Sequence, residues 1–474
     1  MDGGTKNEKG DYPIWGICAM IIMYKNKQAK GGAAMTRHVG KKLILCLLLC
    51  AVCMLTACGF DSSVEELFTL PQFPVEYTGL SRQIDELVAN GYEYSSPTGG
   101  RNIQSVQMVD LDNDGDQEAI AFFRKSDEAK PLKIFVFRPC EENYERLCVI
   151  ESSGTGVDSV YYQDLNGDGR KELLVGWRIS TDVQTVEAYD ITNEPVKLVS
   201  SAYTRYHLVD LDSDDLSNLL VLRTDDEGAP VAEFYQWKDN ALTVTHRSGL
   251  SSTMAELGRG GVVSGYIAEE QPAVFITGVN EKNMAVTDIL TWRSSRLTNI
   301  TADPVSGKST AVWSYCQLMP QDLNGDGTIE MPYPQQSGED ADINDDGFMC
   351  WGVYDRWGRM RQVGETYHCQ SQGWYMTVSE EYWGRMSAFG TESDINEKQT
   401  IFSLDSSQIF SVYTITGENR ENRSERGWRF VLQREPSTIY TGEMYDSASR
   451  YGIDESTVNS SFNLIMNTWN APLN

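Results

Sequence analysis

The acidic residues of this chain fall into a pattern. Val109 is followed by Asp110-Leu111-Asp112-Asn113-Asp114-Gly115-Asp116-Gln117-Glu118. The pattern returns as Asp164-Leu165-Asn166-Gly167-Asp168-Gly169-Arg170-Lys171-Glu172 and as Asp322-Leu323-Asn324-Gly325-Asp326-Gly327-Thr328-Ile329-Glu330. Oxygen-bearing side chains stand at positions 1, 3, 5 and 9, and glycine stands at position 6. A tight turn brings positions 1, 3 and 5 to one point. Position 7 adds a backbone carbonyl, from Asp116, Arg170 or Thr328. Calcium takes six to eight oxygens at roughly 2.3–2.6 Å, so these residues read as calcium ligands. Asp210, Asp212, Asp214 and Asn218 form a weaker version, with Asp215 where glycine is expected. Aspartate tolerates left-handed backbone better than most residues, so that loop stays a candidate. Ser264–Pro272 is a decayed copy without ligands, expected to bind nothing. A further start, Asp342–Gly347, has Cys350 at its position 9.

Two familiar calcium folds do not fit. An EF-hand needs a bidentate Glu at position 12 and helices on both sides. Position 12 is Ala121, Val175 and Tyr333. A dockerin-like pair is excluded by Pro332-Tyr333-Pro334, which cannot carry a helix between the Asp322 and Asp342 loops.

The elements that position the loops are strands. The loops start at 110, 164, 210, 264 and 322, spacings of 54, 46, 54 and 58 residues. Short apolar runs follow the first three: Leu132–Phe137 and Leu147–Ile150, then Val186–Tyr189 and Val196–Val199, then Val231–Trp237 and Leu242–His246. Four short strands in each period of about 50–58 residues match a β-propeller blade, with the loop joining its first two strands. The expected fold class is therefore all-β, a β-propeller of six or seven such blades with short N- and C-terminal helices. The helices are expected at Leu80–Asn90 and Ser456–Trp469.

Loops, pitch and following strand together resemble the FG-GAP/VCBS-type repeats of integrin α-subunits and many bacterial surface proteins. The likeness covers about residues 100–345 and implies a calcium-bearing propeller. Helix and repeats occupy 80–347. Residues 348–474 read as diverged blade or blades and the C-terminal helix, with Gly417–Gly427 a charged hairpin loop.

The N-terminal segment carries a different signal. Arg37, Lys41 and Lys42 precede the apolar run Leu43–Leu55, which is short for a bilayer span. Leu55-Thr56-Ala57-Cys58 resembles the lipobox of bacterial lipoproteins, which implies lipidation at Cys58. Residues 35–57 then read as signal peptide, 58–79 as linker, and 1–34 as an upstream extension before a start at Met35. The expected location is the extracytoplasmic face of the cell membrane, held by the N-terminal lipid. Five of the ten cysteines lie beyond Cys58. In an exported chain disulfides persist, and Cys140–Cys148 reads as a hairpin staple. Cys316, Cys350 and Cys369 allow one more pair, not assignable from sequence.

Formal charge is −28, although the first 58 residues hold eight Lys/Arg against three Asp/Glu, so the remainder carries −33. That surface repels phosphate backbones and excludes nucleic acid as partner. Catalytic signatures are absent: no GxSxG elbow, HExxH, P-loop or dinucleotide glycine motif occurs. His207 and His246 fall on predicted strands and read as structural. Trp351, Tyr354, Trp357, Tyr367, Trp374, Tyr375, Tyr382 and Trp383 crowd one stretch, either filling a core or offering a rim for carbohydrate or protein. The functional expectation is a binding or adhesion module for an extracellular protein or polysaccharide. The alternatives are a structural envelope component and a carbohydrate-active propeller enzyme.

Overall fold

The structure is a computed structural model and describes residues 77–141, 143–258, 260–314, 318–334 and 346–465. They fall within one compact unit, Pro74–Asn474. The signal peptide, Cys58, Cys316, most of Asp342–Gly347 and the end of the predicted C-terminal helix lie outside the described residues.

The unit is all-β. After helix α1 (Thr78–Ala89), the first sheet holds β1 (Glu93–Tyr94), β2 (Val106–Val109), β3 (Glu118–Arg124), β4 (Leu132–Cys140) and β5 (Asn143–Ser152). The second holds β6 (Gly156–Gln163), β7 (Glu172–Arg178), β8 (Gln184–Asp190) and β9 (Val196–Tyr203). The third holds β10 (Arg205–Val209), β11 (Asn218–Thr224), β12 (Pro230–Lys238) and β13 (Ala241–Gly249). After the short helix α2 (Met254–Leu257), the fourth has β14 (Gly261–Ile267), β15 (Gln271–Val279), β16 (Met284–Trp292), β17 (Leu297–Asn299) and β18 (Val312–Ser314). The fifth has β19 (Met331–Pro334), β20 (Gly347–Tyr354), β21 (Met360–Cys369) and β22 (Trp374–Thr377). The sixth has β23 (Met386–Asp394), β24 (Glu397–Leu404), β25 (Ser407–Thr416), β26 (Phe430–Arg434) and β27 (Thr438–Met444). Helix α3 (Arg420–Ser424) fills part of the predicted charged loop. Helix α4 (Glu455–Ser461) and β28 (Phe462–Leu464) close the described chain.

Strands β3, β7, β11 and β15 explain how the first four sheets pack. Such strands are nearly continuous apolar runs, the pattern of a strand buried on both faces. In β7, Leu173, Val175 and Trp177 enter a core shared with the first sheet, while Leu174 enters one shared with the third. In β11, Leu219 and Val221 face the second sheet's core, and Leu220 and Leu222 face the fourth's. In β15, Val274 and Ile276 pack toward the third sheet, and Ala273 and Phe275 toward the fifth. The fifth and sixth sheets share Tyr367, Trp374, Met376, Phe402, Phe410 and Val412. Alternation within each strand thus joins every sheet to the next. The other face of the first sheet packs against Leu80 and Ile84 of α1 through Phe123, Phe135 and Phe137. Among the described residues no core cluster joins the sixth sheet to the first.

Several expectations need correction. Cys140 lies opposite Asn143, and Cys148 opposite Val136, so the two sit four residues apart along β4. That is about 13 Å at the rise of a strand, beyond disulfide reach, and both thiols are free. Cys350 and Cys369 are free as well. The C-terminal helix stops at Ser461, because Phe462 turns extended and pairs with Met376 at the edge of the fifth sheet. Its ring packs on Trp374 and Tyr440, so sheet pairing overrides the helical spacing. The boundary at 347/348 falls inside the fifth sheet, whose first two strands are β19 and β20.

Candidate functional site

Three of the acidic loops join successive strands of one sheet: Asp110–Gln117 between β2 and β3, Asp164–Lys171 between β6 and β7, and Asp210–Ser217 between β10 and β11. These are loops 1, 2 and 3. In the fourth sheet a tight turn at 268–270, with Glu269 and Glu270 both left-handed, takes that place. The Asp322 loop (loop 5) departs from expectation. It precedes β19, closes on itself through a Gln321–Glu330 bridge, and docks on Tyr266 of β14. The first-to-second-strand connection of the fifth sheet is instead the segment that contains Asp342.

The four loops share one scaffold. The position-1 carboxylate accepts the N–H of position 6: Asp110 from Gly115 (3.2 Å), Asp164 from Gly169 (2.9 Å), Asp210 from Asp215 (3.1 Å) and Asp322 from Gly327 (2.7 Å). The position-5 carboxylate accepts the N–H of position 7: Asp114 from Asp116 (2.8 Å), Asp168 from Arg170 (2.9 Å), Asp214 from Leu216 (3.0 Å) and Asp326 from Thr328 (2.7 Å). The position-9 glutamates fold back onto position 2. Glu118 accepts from Leu111 N–H, Glu172 from Leu165 and Glu330 from Leu323, at 2.7–2.8 Å.

Backbone conformation follows the predicted glycine, with one addition. Position 6 is left-handed throughout, including Asp215 at φ 69°. Position 4 is left-handed too, at Asn113, Gly167, Ser213 and Gly325. Sequence reasoning passed over that position because its residue type varies. It also passed over position 2, where Leu111, Leu165 and Leu211 are buried anchors. The recurring Asp-Leu-Asp/Asn is the signal that marks them.

Carboxylates converge in loops 1 and 3. Asp110, Asp112 and Glu118 each place an oxygen within 4.8 Å of the others, as do Asp210, Asp212 and Asp214. Asp110 Oδ1, Asp212 Oδ1 and Asn218 Oδ1 are buried without a hydrogen-bond partner. In loops 2 and 5 the position-3 amide donates inward: Asn166 Nδ2 to Glu172 (2.7 Å) and Asn324 Nδ2 to Asp326 (3.0 Å).

The electrostatics match this crowding. Burial first, then the neighbouring aspartates, push the carboxyls of Glu118, Glu330 and Asp212 above their usual range. Glu172 is pushed up to about 7 by burial and then by Asp164, Asp168 and Asp190. Loops 1 and 2 are also tied together. Lys171 donates from its backbone N–H to the Leu111 carbonyl and from Nζ to the Asp110 carbonyl, both at 2.7 Å.

The remaining candidates are structural. Trp351, Tyr354, Tyr367, Trp374 and Tyr382 are buried in cores, while Trp357 is exposed. His246 packs edge-on against Trp292. His207 sits on β10 opposite Leu220, and burial lowers its pKa to about 4. His368, which sequence reasoning left unassigned, is buried, with Nε2 at 2.8 Å from Thr366 Oγ1. No helix among the described residues is long and apolar enough to cross a membrane.

No protein-family model matches the chain, and no curated protein matches it. Among solved structures it is similar to a hypothetical protein from Leishmania major, at 11% identity over 69% of this chain and 91% of that one, with a TM-score of 0.22. It is also similar to an exo-β-1,3-galactanase from Phanerochaete chrysosporium with galactose, at 10% identity over 72% and 81%, with a TM-score of 0.23. Overlap at this level carries no argument about the chemistry of this chain.

Proposed function

We propose that this chain is a lipid-anchored envelope protein that presents a calcium-stabilised β-propeller as a binding module. Six sheets in chain order, each sharing a core with the next, support a six-bladed propeller of FG-GAP/VCBS type. The Cys58 lipobox supports anchorage at the extracytoplasmic face. The calcium reading rests on one observation: buried Asp110 Oδ1, Asp212 Oδ1 and Asn218 Oδ1 have no partner, inside loops whose donors are all oxygen. A buried unpaired carboxylate oxygen is costly, and a hard cation relieves that cost while offsetting the repulsion of its neighbours.

The metal would be held by Asp110, Asp112, Asp114 and Glu118 in loop 1, and by Asp164, Asn166, Asp168 and Glu172 in loop 2. Asp210, Asp212, Asp214 and Asn218 would serve loop 3, and Asp322, Asn324, Asp326 and Glu330 loop 5. Bound there, calcium supplies charge neutralisation and a fixed loop shape. The partner is an extracellular protein or polysaccharide. Probing immobilised residues 59–474 with glycan arrays and envelope extracts tests this, with binding expected in calcium and lost in chelator. No binding in either condition contradicts it.

A further inference from the structure

We infer that calcium fills these loops in two steps, loops 1 and 3 before loops 2 and 5. This order is the reverse of what the motifs promise for loop 3, which lacks both the glycine and the glutamate. It rests on the calcium reading above and concerns which of the loops demand the ion.

In loop 3, Gln236 Nε2 donates to Asp212 Oδ2 at 2.7 Å, leaving Oδ1 as the oxygen free for the loop. That Oδ1 is buried and unpartnered, and Asp212 shares a 4.8 Å cluster with Asp210 and Asp214. Asn218 is 4% exposed, and its Oδ1 is likewise buried without a partner. Glutamate at position 9 in the other loops spends one oxygen on the position-2 N–H. Asn218 has no such bond among the described contacts, so its carbonyl is unspent. Loop 1 has the same character, with three converging carboxylates and an unpartnered Asp110 Oδ1.

Loops 2 and 5 are already closed. Asn166 Nδ2 holds Glu172 Oε1, and Asn324 Nδ2 holds Asp326 Oδ2. To turn its carbonyl toward a metal, each asparagine must give up a hydrogen bond to a carboxylate. Such a bond contributes enough to weaken binding about tenfold or more. Loop 1 also has four acidic ligands against three in loops 2 and 5, and ligand charge raises affinity. Loop 3 has no more charge than loops 2 and 5, so its precedence depends on the unpartnered oxygens alone.

Calcium titrated into the metal-free protein tests the order, with calorimetry to count site classes and ¹⁵N-glycine spectra to place them. Gly115 reports loop 1, Gly169 loop 2 and Gly327 loop 5. Gly115 is expected to move at calcium concentrations about tenfold or more below those that move Gly169 and Gly327. Calorimetry is expected to show a tight class of two sites. Asp212→Asn should reduce that class to one while Gly115 still responds, and Asn166→Asp should bring Gly169 into it. Gly169 moving with or before Gly115 overturns the order. So does a tight class that stays at two in Asp212→Asn. No heat and no shift at millimolar calcium overturns the calcium reading itself.

Discussion

Replacing Asp110 by alanine should cost little without calcium and much with it. Asp110 makes one long hydrogen bond, from Gly115 N–H at 3.2 Å, and leaves Oδ1 buried and unpaired. Its removal loses that bond but relieves crowding with Asp112 and Glu118, so the net change should stay within about 1 kcal/mol. With calcium at a hundredfold excess over its dissociation constant, the lost site removes about 2.7 kcal/mol of linkage stability. Asp164→Ala supplies the contrast. Asp164 accepts three backbone N–H groups, from Asn166, Gly167 and Gly169 at 3.2, 2.7 and 2.9 Å. Losing them should cost about 2–4 kcal/mol even in chelator. Urea unfolding followed by tryptophan fluorescence, with and without chelator, reads both variants. The reasoning fails if Asp110→Ala is equally destabilised in calcium and in chelator.

Other outcomes can be checked alongside. Burial holds the His368 imidazole neutral, its pKa pushed down to about 3. The unfolded chain protonates near 6.5, so this stability is present above that value and is lost as pH falls toward 3. From pH 7 to pH 5 the share of the loss due to His368 should be about 2 kcal/mol, read as the amount by which the stability change between those pH values differs between the unmodified protein and His368→Gln in urea unfolding. Gly278→Ala should destabilise by about 1–3 kcal/mol, because an added Cβ would lie 2.3 Å from Ser252; an unchanged midpoint would refute the packing there. Trp177→Ala, at the core between the first two sheets, should cost about 3–5 kcal/mol. A smaller loss by calorimetry would contradict the shared core.

Much of the architecture was legible because loop chemistry and strand pattern coincide. The ligands of loops 1 and 2 end where Ala119–Phe123 and Leu173–Trp177 begin, and those runs are the buried strands β3 and β7. Loop 5 was misplaced because its ligands say nothing of pairing: Glu330 precedes a first strand, not a second. Position 4 stayed hidden because Asn113, Gly167, Ser213 and Gly325 share a backbone conformation and not a residue type. The Cys140–Cys148 staple failed on register, which spacing alone does not reveal. Phe462 was assigned to a helix because its spacing suits one, while Trp374 and Tyr440 offered a better surface for its ring. The inequality among loops follows from single hydrogen bonds, such as Gln236 to Asp212, made by residues far apart in sequence.

The central claim is that calcium holds this repeat together, and differential scanning calorimetry of residues 59–474 tests it most directly. The account predicts that unfolding in millimolar calcium occurs at a clearly higher temperature than in excess chelator, with the difference reduced in Asp110→Ala. Superimposable transitions in calcium and in chelator would contradict it.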